Sequence, residues 1–242
     1  MFTFIYHQKG YDLAIRDLTM PDNALMKKTK YLLELREANF SGGIREKDLS
    51  HADLSRADFH GMQLVDVNFE GATLENLNLY DCQLINCSFK NARLNRVIGR
   101  KTKFFKCSFE NTDMSQADFG ESVIYKSRFE GSDMHLCKMS GSKISNSFFN
   151  RVNVLGTDLS SSYLSGVEIY SSELRNTNFD KAAILSSKII DSSLEYASFN
   201  QSIIYETKIE SCKTDGMLIF ETKTDLNPND LKYARVIDVV KI

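Results

Sequence analysis

One spacing dominates this chain: a large apolar residue stands at every fifth position from residue 44 to residue 209. The series has 34 positions, and Gly99 is the only one that is not large and apolar. Five steps turn a side chain by about 140° on an α-helix and reach the opposite face of a flat strand. These anchor residues can share one core only if the chain turns a corner about every five residues. The spacing therefore predicts a solenoid with sides that are each one repeat long.

The anchor phenylalanines indicate how many sides each coil has. Five pairs of them are four repeats apart and only two pairs are three repeats apart, so a four-sided coil fits better than a three-sided one. The repeat then makes about 8.5 coils and a rod of roughly 40 Å, at a spacing of about 4.8 Å per coil. This arrangement predicts a ladder of stacked rings formed by Phe69, Phe89, Phe109, Phe129 and Phe149.

Small residues prevail two positions before each anchor, where a second inward side chain has little room. Ala52 and Ala57 are early examples. We interpret the cysteines at this position as small buried apolar residues, because their number is odd and no CxxC occurs. Only two of them, Cys87 and Cys107, are spaced so that they can stack on each other, and a metal or redox set is not expected. The five cysteines are Cys82, Cys87, Cys107, Cys137 and Cys212.

Several repeats carry a recognisable motif, as in ADLSR (52–56), ATLEN (72–76), ADFGE (117–121) and TNFDK (177–181). They resemble the A(D/N)LXX units of the pentapeptide repeat family. The resemblance covers roughly residues 44–212, about seven-tenths of the chain. It implies an all-β solenoid, a right-handed four-sided (quadrilateral) β-helix. The middle of the chain departs from the motif by placing Ser at the Ala site, as in SKISN (142–146).

The repeat divides the chain into residues 1–43, the β-helix at 44–212, and residues 213–242. We expect small helical caps at both ends, because a solenoid end exposes apolar core and unpaired strand edges. The sequence predicts a strand in FTFIYH and a helix over residues 21–38, with Pro21 in its first turn. The last segment is predicted as a strand and then a helix from Asn227 and Pro228. A dimerising role for this segment stays open.

Composition and sequence pattern limit the compartments in which the protein could act and the partners that it could bind. The chain has 30 Lys and Arg against 32 Asp and Glu, a net charge of −2, which argues against attachment to nucleic acid through bulk positive charge. No apolar run reaches the roughly 18 residues that a membrane helix needs. The start lacks the order of a secretory signal. We therefore expect a cytoplasmic protein, or one delivered from a bacterial cytoplasm, without membrane contact.

The sequence offers little for catalysis. It contains no phosphate-binding loop, nucleophile elbow or zinc-binding HExxH motif, and its four histidines are scattered. Asp48, Asp53 and Asp58 precede anchors on three successive sides, so they do not face one another. A packed solenoid interior also provides no cleft that excludes water. We therefore expect no catalytic, cofactor or metal site, and no enzyme.

One side of the predicted rod is apolar outside as well as inside. It is the side with anchors Leu64, Leu84 and Phe104, and we predict that it binds a partner. A terminal helix of this chain or a second subunit are alternative occupants. The predicted partner-binding residues are Val65, Ile85, Phe105, Val123, Tyr125, Tyr163, Leu185, Ile203 and Tyr205.

Charge is unevenly distributed along the repeat. Residues 44–85 hold eight acidic and three basic residues, and residues 90–106 hold seven basic and no acidic ones. We expect the basic girdle to be a solvated ring without direct nucleic-acid binding, and Gly99 within it to form a bulge or small loop that Ile98 fills. The predicted acidic surface is Asp48, Asp53, Asp58, Asp66, Glu70 and Glu75. The basic girdle is Lys90, Arg93, Arg96, Arg100, Lys101, Lys103 and Lys106.

These features predict a non-catalytic protein-binding scaffold. The family resemblance implies a more specific function, because members that bind DNA gyrase, a bacterial type II topoisomerase, look like duplex DNA and commonly dimerise through C-terminal helices. This chain shares the rod and the acidic first coils, but its basic girdle weakens a DNA-like surface. A secreted effector that binds a host protein is the alternative, with residues 1–43 preceding the repeat as in such effectors.

Overall fold

Residues 43–231 wind into a solenoid in which every coil takes four repeats and hydrogen-bonds to the next coil. The computed structural model describes residues 4–8, 11–15, 43–231, 233–237 and 240–241. The helix predicted over residues 21–38 lies outside these described residues. Near the N-terminus, β1 (Phe4–Gln8) pairs antiparallel with β2 (Tyr11–Ile15), so the predicted first strand is present. No helix of the described part is both long and apolar enough to cross a membrane.

The coils have four faces, which we number by their first anchors: face I from Ile44, face II from Leu49, face III from Leu54 and face IV from Phe59. Face I carries a parallel sheet of eleven strands. Its strands are β3 (Ile44–Arg45), β4 (Gln63–Val65), β5 (Gln83–Ile85), β6 (Lys103–Phe105), β8 (Val123–Tyr125), β10 (Lys143–Ser145), β12 (Tyr163–Ser165), β14 (Ala183–Leu185), β16 (Ile203–Tyr205), β19 (Lys223–Thr224) and β21 (Val240–Lys241).

The other faces pair in the same register with less regular strands. Faces III and IV are held mostly by single parallel bridges, such as Asp53↔Thr73 and Asp58↔Asn78. Face II carries a six-stranded parallel sheet. Its strands are β7 (Ser108–Glu110), β9 (Arg128–Glu130), β11 (Phe148–Asn150), β13 (Glu168–Tyr170), β15 (Lys188–Ile190) and β17 (Lys208–Glu210). This four-sided β-solenoid is the architecture that the five-residue spacing predicts.

The anchors fill the axis of the rod. The phenylalanines of face II stack with nearly parallel rings, and their centroids are 5.0 Å apart for Phe89 and Phe109 and 4.6 Å apart for Phe109 and Phe129. Each of these three rings is fully buried. The predicted aromatic ladder, from Phe69 to Phe149, is therefore confirmed. Offset aromatic pairs of this kind add about 0.5–1.5 kcal/mol beyond the burial of their area.

Every corner of the solenoid uses a left-handed residue. All 36 positions spaced by five from residue 46 to residue 221 have a positive φ, and 29 of them are not glycine. They include bulky side chains such as Leu136 and Tyr196, with φ of 56° and 60°. A left-handed backbone costs an L-residue about 1–2 kcal/mol. The fold tolerates this cost at each corner because a positive φ at this point of a tight turn directs the chain onto the next face.

Most serines that replace alanine at the small inward site are hydrogen-bonded, whereas the buried hydroxyls of Ser122 and Ser142 have no hydrogen-bond partner within the described residues. Ser127 Oγ accepts the N–H of Cys107, one coil earlier, at 3.2 Å and donates to the carbonyl of Tyr125, also at 3.2 Å. Ser187 Oγ bridges Val167 N–H and the Leu185 carbonyl in the same way. A buried hydroxyl with partners costs little, whereas an unpaired one is expensive. These bonds explain how the site accommodates Ser127 and Ser187, but not why Ser stands at Ser122 and Ser142.

The cysteines occupy the small inward site, as predicted. Four of them are buried and Cys212 is half-buried. Burial raises the pKa of the Cys82 and Cys137 thiols to about 12. Cys87 and Cys107 lie on adjacent coils and contact each other; burial raises the pKa of Cys107, whereas its hydrogen bond lowers the pKa of Cys87.

The prediction for Gly99 is wrong. Gly99 lies in the regular inward position, with its N–H bonded to the Asp118 carbonyl at 2.7 Å, so the chain forms no bulge or loop. Ile98 is 49% exposed and does not fill the gap. The ring of Phe119, one coil later, occupies the space instead: a Cβ on Gly99 would lie 2.4 Å from Phe119 Cδ1. The missing anchor is therefore supplied by a neighbouring coil.

The inward series continues beyond residue 212. Thr214, Ile219 and Thr224 are buried in turn, although threonine interrupts the apolar pattern. Strand β18 (Leu218–Phe220) continues face IV and pairs with β20 (Arg235–Ile237).

The C-terminal α-helix predicted from Asn227 is replaced by one 3-10 turn, Pro228–Leu231. Asn227 Oδ1 accepts the Asn229 N–H at 3.0 Å and so begins this turn. The strands β20 and β21 then return the chain to the last coil. Strand pairing satisfies the edge groups of this coil, which explains why the helix does not continue.

Gly99→Ala should destabilise the rod because the added methyl overlaps the Phe119 ring. We expect a loss of about 1–3 kcal/mol, as for overpacked cores, measured by chemical denaturation. Gly120→Ala is the matched control, since its new Cβ would meet the flexible end of Arg100 and the Asp118 carboxylate instead of an aromatic ring in the core; it should destabilise the rod less than Gly99→Ala does. Equal midpoints for the two variants would contradict this packing.

The native protein should expose about one reactive thiol, because Cys212 is the most accessible of the five cysteines and the burial of the other four keeps the reagent from their sulfur atoms. A chromogenic disulfide reagent at pH 8 should titrate Cys212 first and all five thiols only in denaturant. Cys212→Ser should remove the fast native reaction. Rapid native reaction of that variant would contradict the inward position of the remaining four.

Candidate protein-interaction surface

Two outward columns run along each face, formed by the residues before and after each anchor. The residues of one column stack in register, one coil apart, so Ile85 pairs with Phe105 and Phe105 with Tyr125 on face I. Adjacent coils are separated by about 4.8 Å. A surface site on this rod is therefore composed of side chains from successive coils and from the two columns of one strand.

The structure places all nine predicted partner-binding residues on the outer surface of face I. They form two sections, because Lys143, Ser145 and Ser165 interrupt the columns between them. The first apolar section consists of Val65, Ile85, Phe105, Val123 and Tyr125, which are half-buried. The second consists of Tyr163, Leu185, Ile203 and Tyr205, of which Tyr163, Ile203 and Tyr205 are the most exposed.

An aromatic pair forms the centre of the first apolar section. The rings of Phe105 and Tyr125 meet at 63° with centroids 6.3 Å apart. Lys126 Nζ lies 5.2 Å from the centroid of the Tyr125 ring. Val123 precedes Tyr125 by two residues and lies in the neighbouring column. This geometry presents a ridge of apolar side chains that ends in a cation.

Three acidic residues of the first coils form hydrogen bonds within their own turns. Asp48, Asp53 and Asp58 lie on faces II, III and IV, and each accepts the N–H of the residue two positions later at 3.0 Å. The hydrogen bonds from Ser50 lower the pKa of Asp48. These aspartates are therefore the structural D of the repeat motif. They surround the rod and do not form one acidic face.

The other predicted acidic residues are only partly engaged. Asp66 Oδ1 accepts the side-chain amide of Asn86 at 2.6 Å, and Glu75 pairs with Arg93 at 2.6 Å. Glu70 lies on the outer column of face II, half-buried.

Three residues of the basic girdle, on faces II, III and IV, form ion pairs, whereas its two lysines on face I do not within the described residues. Lys90 pairs with Glu110, Arg93 with Glu75, and Arg100 with Asp118 and Glu121. Arg96 donates to Gln116, and Lys101 lies over the Tyr80 ring. Lys103 and Lys106 form no ion pair within the described residues. The girdle is therefore less uniform than its sequence suggests.

Sequence reasoning missed two residues of this surface. Lys126 and Lys143 lie beside the first apolar section, on the coils that follow the girdle. The register of the coils could have identified them. Lys126 lies one coil after Lys106, and Lys143 lies two coils after Lys103, so each shares a column with a lysine of the girdle. Counting charge along the chain does not show that these lysines share columns.

On face II, Arg128 Cζ lies 4.6 Å from the centroid of the Phe148 ring, and this contact explains the isolated outward Phe148.

No group of three or more His, Cys, Asp or Glu in the described part of the chain could hold a metal ion. His60 packs edge-on against Tyr80 at 5.3 Å, and His135 Nδ1 lies 2.9 Å from Asp133 Oδ1. These histidines are therefore separate surface contacts. The groove at Ser171, Asp191 and Lys213 is open and polar, with a volume of about 270 Å³.

Solved structures with the same fold include two functionally distinct proteins. HetL, a pentapeptide repeat protein involved in heterocyst differentiation regulation from the cyanobacterium Nostoc sp. strain PCC 7120, is 18% identical, with a TM-score of 0.64 over 81% of this chain and 84% of HetL. Full-length QnrB1, a plasmid-mediated fluoroquinolone resistance protein, is 13% identical, with a TM-score of 0.50 over 82% of this chain and 91% of QnrB1. At these identities the likeness concerns the fold alone.

Family models match most of the repeat. The model described as pentapeptide repeats (8 copies) matches residues 34–71 and 63–98, and the model described as pentapeptide repeat region matches residues 102–179. No curated protein matches the chain. The matched segments agree with the coils in the structure, and the chain belongs to the pentapeptide repeat family.

Proposed function

We propose that this protein is a non-catalytic scaffold that binds another protein through the apolar side of face I. The observation that carries the proposal is the continuity of apolar side chains along one outer column, from Val65 through Ile85 and Phe105 to Tyr125. Apolar patches of this kind on soluble proteins usually mark contact surfaces.

The chemistry of the other faces supports the choice of face I. On face II, Lys90 pairs with Glu110 and Lys188 with Glu168, so neighbouring coils satisfy each other's charges. On face III, Glu173 pairs with Arg175. Exposed ion pairs contribute little stability, but they leave few unmatched groups for a partner. Within the described residues, face I lacks such pairs over the first apolar section, so a partner gains more by covering it.

Phe105→Glu combined with Tyr125→Glu should leave the fold intact and abolish partner binding. Both side chains point outward, whereas the buried anchors Phe104 and Ile124 remain in the core. Circular dichroism and thermal unfolding should match the wild type. Immobilised wild-type protein should retain partners from a lysate of the organism that encodes it, and the double variant should lose them, as quantified by mass spectrometry.

Ile98→Glu combined with Leu136→Glu provides the matched control. Both residues are apolar and about half exposed, at 49% and 54%, but lie away from face I. This control should retain the same partners as the wild type. The proposal is wrong if no retained protein distinguishes the two double variants. Unfolding of the Phe105 and Tyr125 variant would also contradict it, since the side chains would then be internal packing.

A more specific form of the proposal is that the partner is DNA gyrase, so that the rod modulates a bacterial type II topoisomerase as a DNA mimic. The family resemblance and the acidic first coils support it. The engagement of Asp48, Asp53 and Asp58 with their own turns weakens it, because such carboxylates are less available to a DNA-binding surface. Of the other predicted acidic residues, the carboxylates of Asp66 and Glu70 do not bond their own turns within the described residues, although Asp66 accepts a hydrogen bond from Asn86, and we choose these two to test the role.

A supercoiling assay with purified gyrase tests this specific form. Titration of the protein into the micromolar range should inhibit supercoiling or protect the enzyme from a quinolone. Asp66→Lys combined with Glu70→Lys should weaken that effect about tenfold, since charge reversal at a contact costs roughly 1–2 kcal/mol. Absence of any effect would overturn the gyrase partner and leave the scaffold proposal intact. The effector alternative depends on residues 1–43, most of which lie outside the described residues, and it stays a prediction.

A further inference from the structure

Four lysines surround the centre of the first apolar section. Lys103 is the first residue of β6 and Lys143 the first residue of β10, so both stack in register with Val123 of the strand between them. Lys106 and Lys126 occupy the corners that directly follow Phe105 and Tyr125, with φ of 55° and 50°. We call these four residues, Lys103, Lys106, Lys126 and Lys143, the lysine rim. On the outer surface of face I, the rim therefore has two lysines at the beginning of the strands and two at the corners that follow them, with the aromatic pair between.

The lysine rim has no acidic counterpart within the described residues. None of its four members forms an ion pair there, whereas three residues of the basic girdle on other faces do. Two acidic residues near the rim are already engaged elsewhere. Glu121 pairs with Arg100, and Asp66 accepts a hydrogen bond from Asn86. Positive charge is therefore left unmatched beside apolar surface at this part of the rod.

The spacing of the rim fits an α-helix that lies along the axis of the rod. Lys103 and Lys143 are two coils apart, about 10 Å at a coil spacing of about 4.8 Å. Seven residues of an α-helix rise about 10.5 Å, and three to four residues rise about 5 Å. A helix can therefore place acidic residues at i and i+7 opposite these two lysines. Two apolar residues three or four positions apart on the neighbouring stripe of the helix would then follow the step from Phe105 to Tyr125.

We infer that the first apolar section and its lysine rim bind an acidic amphipathic helix of a partner protein. This inference rests on the proposed scaffold function and adds the chemistry of the partner. The apolar stripe of the helix covers Phe105, Val123 and Tyr125, and its flanking carboxylates pair with the rim. Complementary charge of this kind raises the association rate and excludes partners of the wrong sign.

A protein helix fits this surface better than a nucleic acid does. Phosphate groups would match the lysines, but sequence-independent binding of single strands needs successive exposed aromatic rings. Here the columns continue from the aromatic pair into aliphatic Val65 and Ile85, with Val123 beside the rings. Aliphatic side chains pack against a leucine-rich helix and offer nothing for base stacking. The aliphatic content of the section therefore favours the protein partner.

A displayed library of amphipathic helices tests the inference directly. Each helix is four to five turns long and carries a fixed apolar stripe, and its flanking positions vary among Glu, Gln and Lys. Helices selected on the wild-type protein should carry an excess of Glu at the flanks. Their affinity should fall about tenfold or more, at least about 1.4 kcal/mol, for the variant with Lys103→Glu and Lys143→Glu. Helices with Lys at the facing positions should regain affinity for that variant.

The control variant combines Lys138→Glu and Lys213→Glu, two exposed lysines on faces IV and III that also lack ion pairs within the described residues. It changes the net charge equally and should bind the selected helices as the wild type does. Circular dichroism should confirm that both variants fold. When the selected helices are passed over immobilised protein with Phe105→Glu and Tyr125→Glu, that variant should not retain them.

The outcomes separate this inference from the scaffold proposal. If selected flanks show no preference for Glu, or the rim variant binds within about twofold of the wild type, the inference is wrong. If those helices still require Phe105 and Tyr125, the scaffold proposal stands. Failure to select any helix, or binding that ignores both double variants, overturns the inference, and the scaffold proposal is then decided by the retention of partners by the wild type and the Phe105→Glu and Tyr125→Glu variant. Retention of a single-stranded oligo(dT) by the wild type, lost with the rim variant, would overturn the inference in favour of a nucleic acid.

Discussion

Hydrogen bonding between coils in a strict register of four repeats is the constraint on which this rod depends. The N–H of Leu49 donates to the carbonyl of Asn68 at 2.7 Å, and the N–H of Asn68 donates to that of Lys47 at 2.9 Å, so each coil is bonded in both directions. A slip of one residue would turn every anchor outward. The register therefore stacks each side chain on its counterpart in the next coil. The phenylalanine ladder inside and the charge pairs outside both follow from it.

Each repeat balances a corner against an anchor. A left-handed corner costs a non-glycine residue about 1–2 kcal/mol, and burial of a large anchor contributes about 1.5–3 kcal/mol. The two terms are close, so a corner beside a missing anchor is poorly supported. Lys101 is such a corner, with φ of 61°, two residues after Gly99. The Phe119 ring fills the space over Gly99, which explains how this one repeat survives without its own anchor.

The spacing of residues predicts the coil, its four faces and the apolar side because all three depend on periodicity alone. It could not predict how Gly99 is accommodated, since Phe119 reaches it from the next coil and occupies a regular anchor position itself. The prediction of a C-terminal helix was wrong for a related reason. Its Asn-Pro signal is local, but the pairing of Arg235–Ile237 with the last coil is a tertiary effect. The left-handed corners carry residues as different as Lys, Arg and Leu, so the residue type does not predict them.

Charge on such a rod has to be assigned by face before it can be interpreted. Residues 90–106 look like a uniform basic ring when counted along the chain, yet Arg93 and Arg100 are paired, whereas Lys103 and Lys106 have no ion pair in the part of the chain that the structure describes. Sorting by register adds Lys126 and Lys143, which belong to other segments but to the same surface. Unmatched cations thus gather where the outward column is apolar. Because the interior of the solenoid is filled mainly by buried apolar side chains, such coincidences between neighbouring columns are the means by which a repeat with one fold acquires different partners.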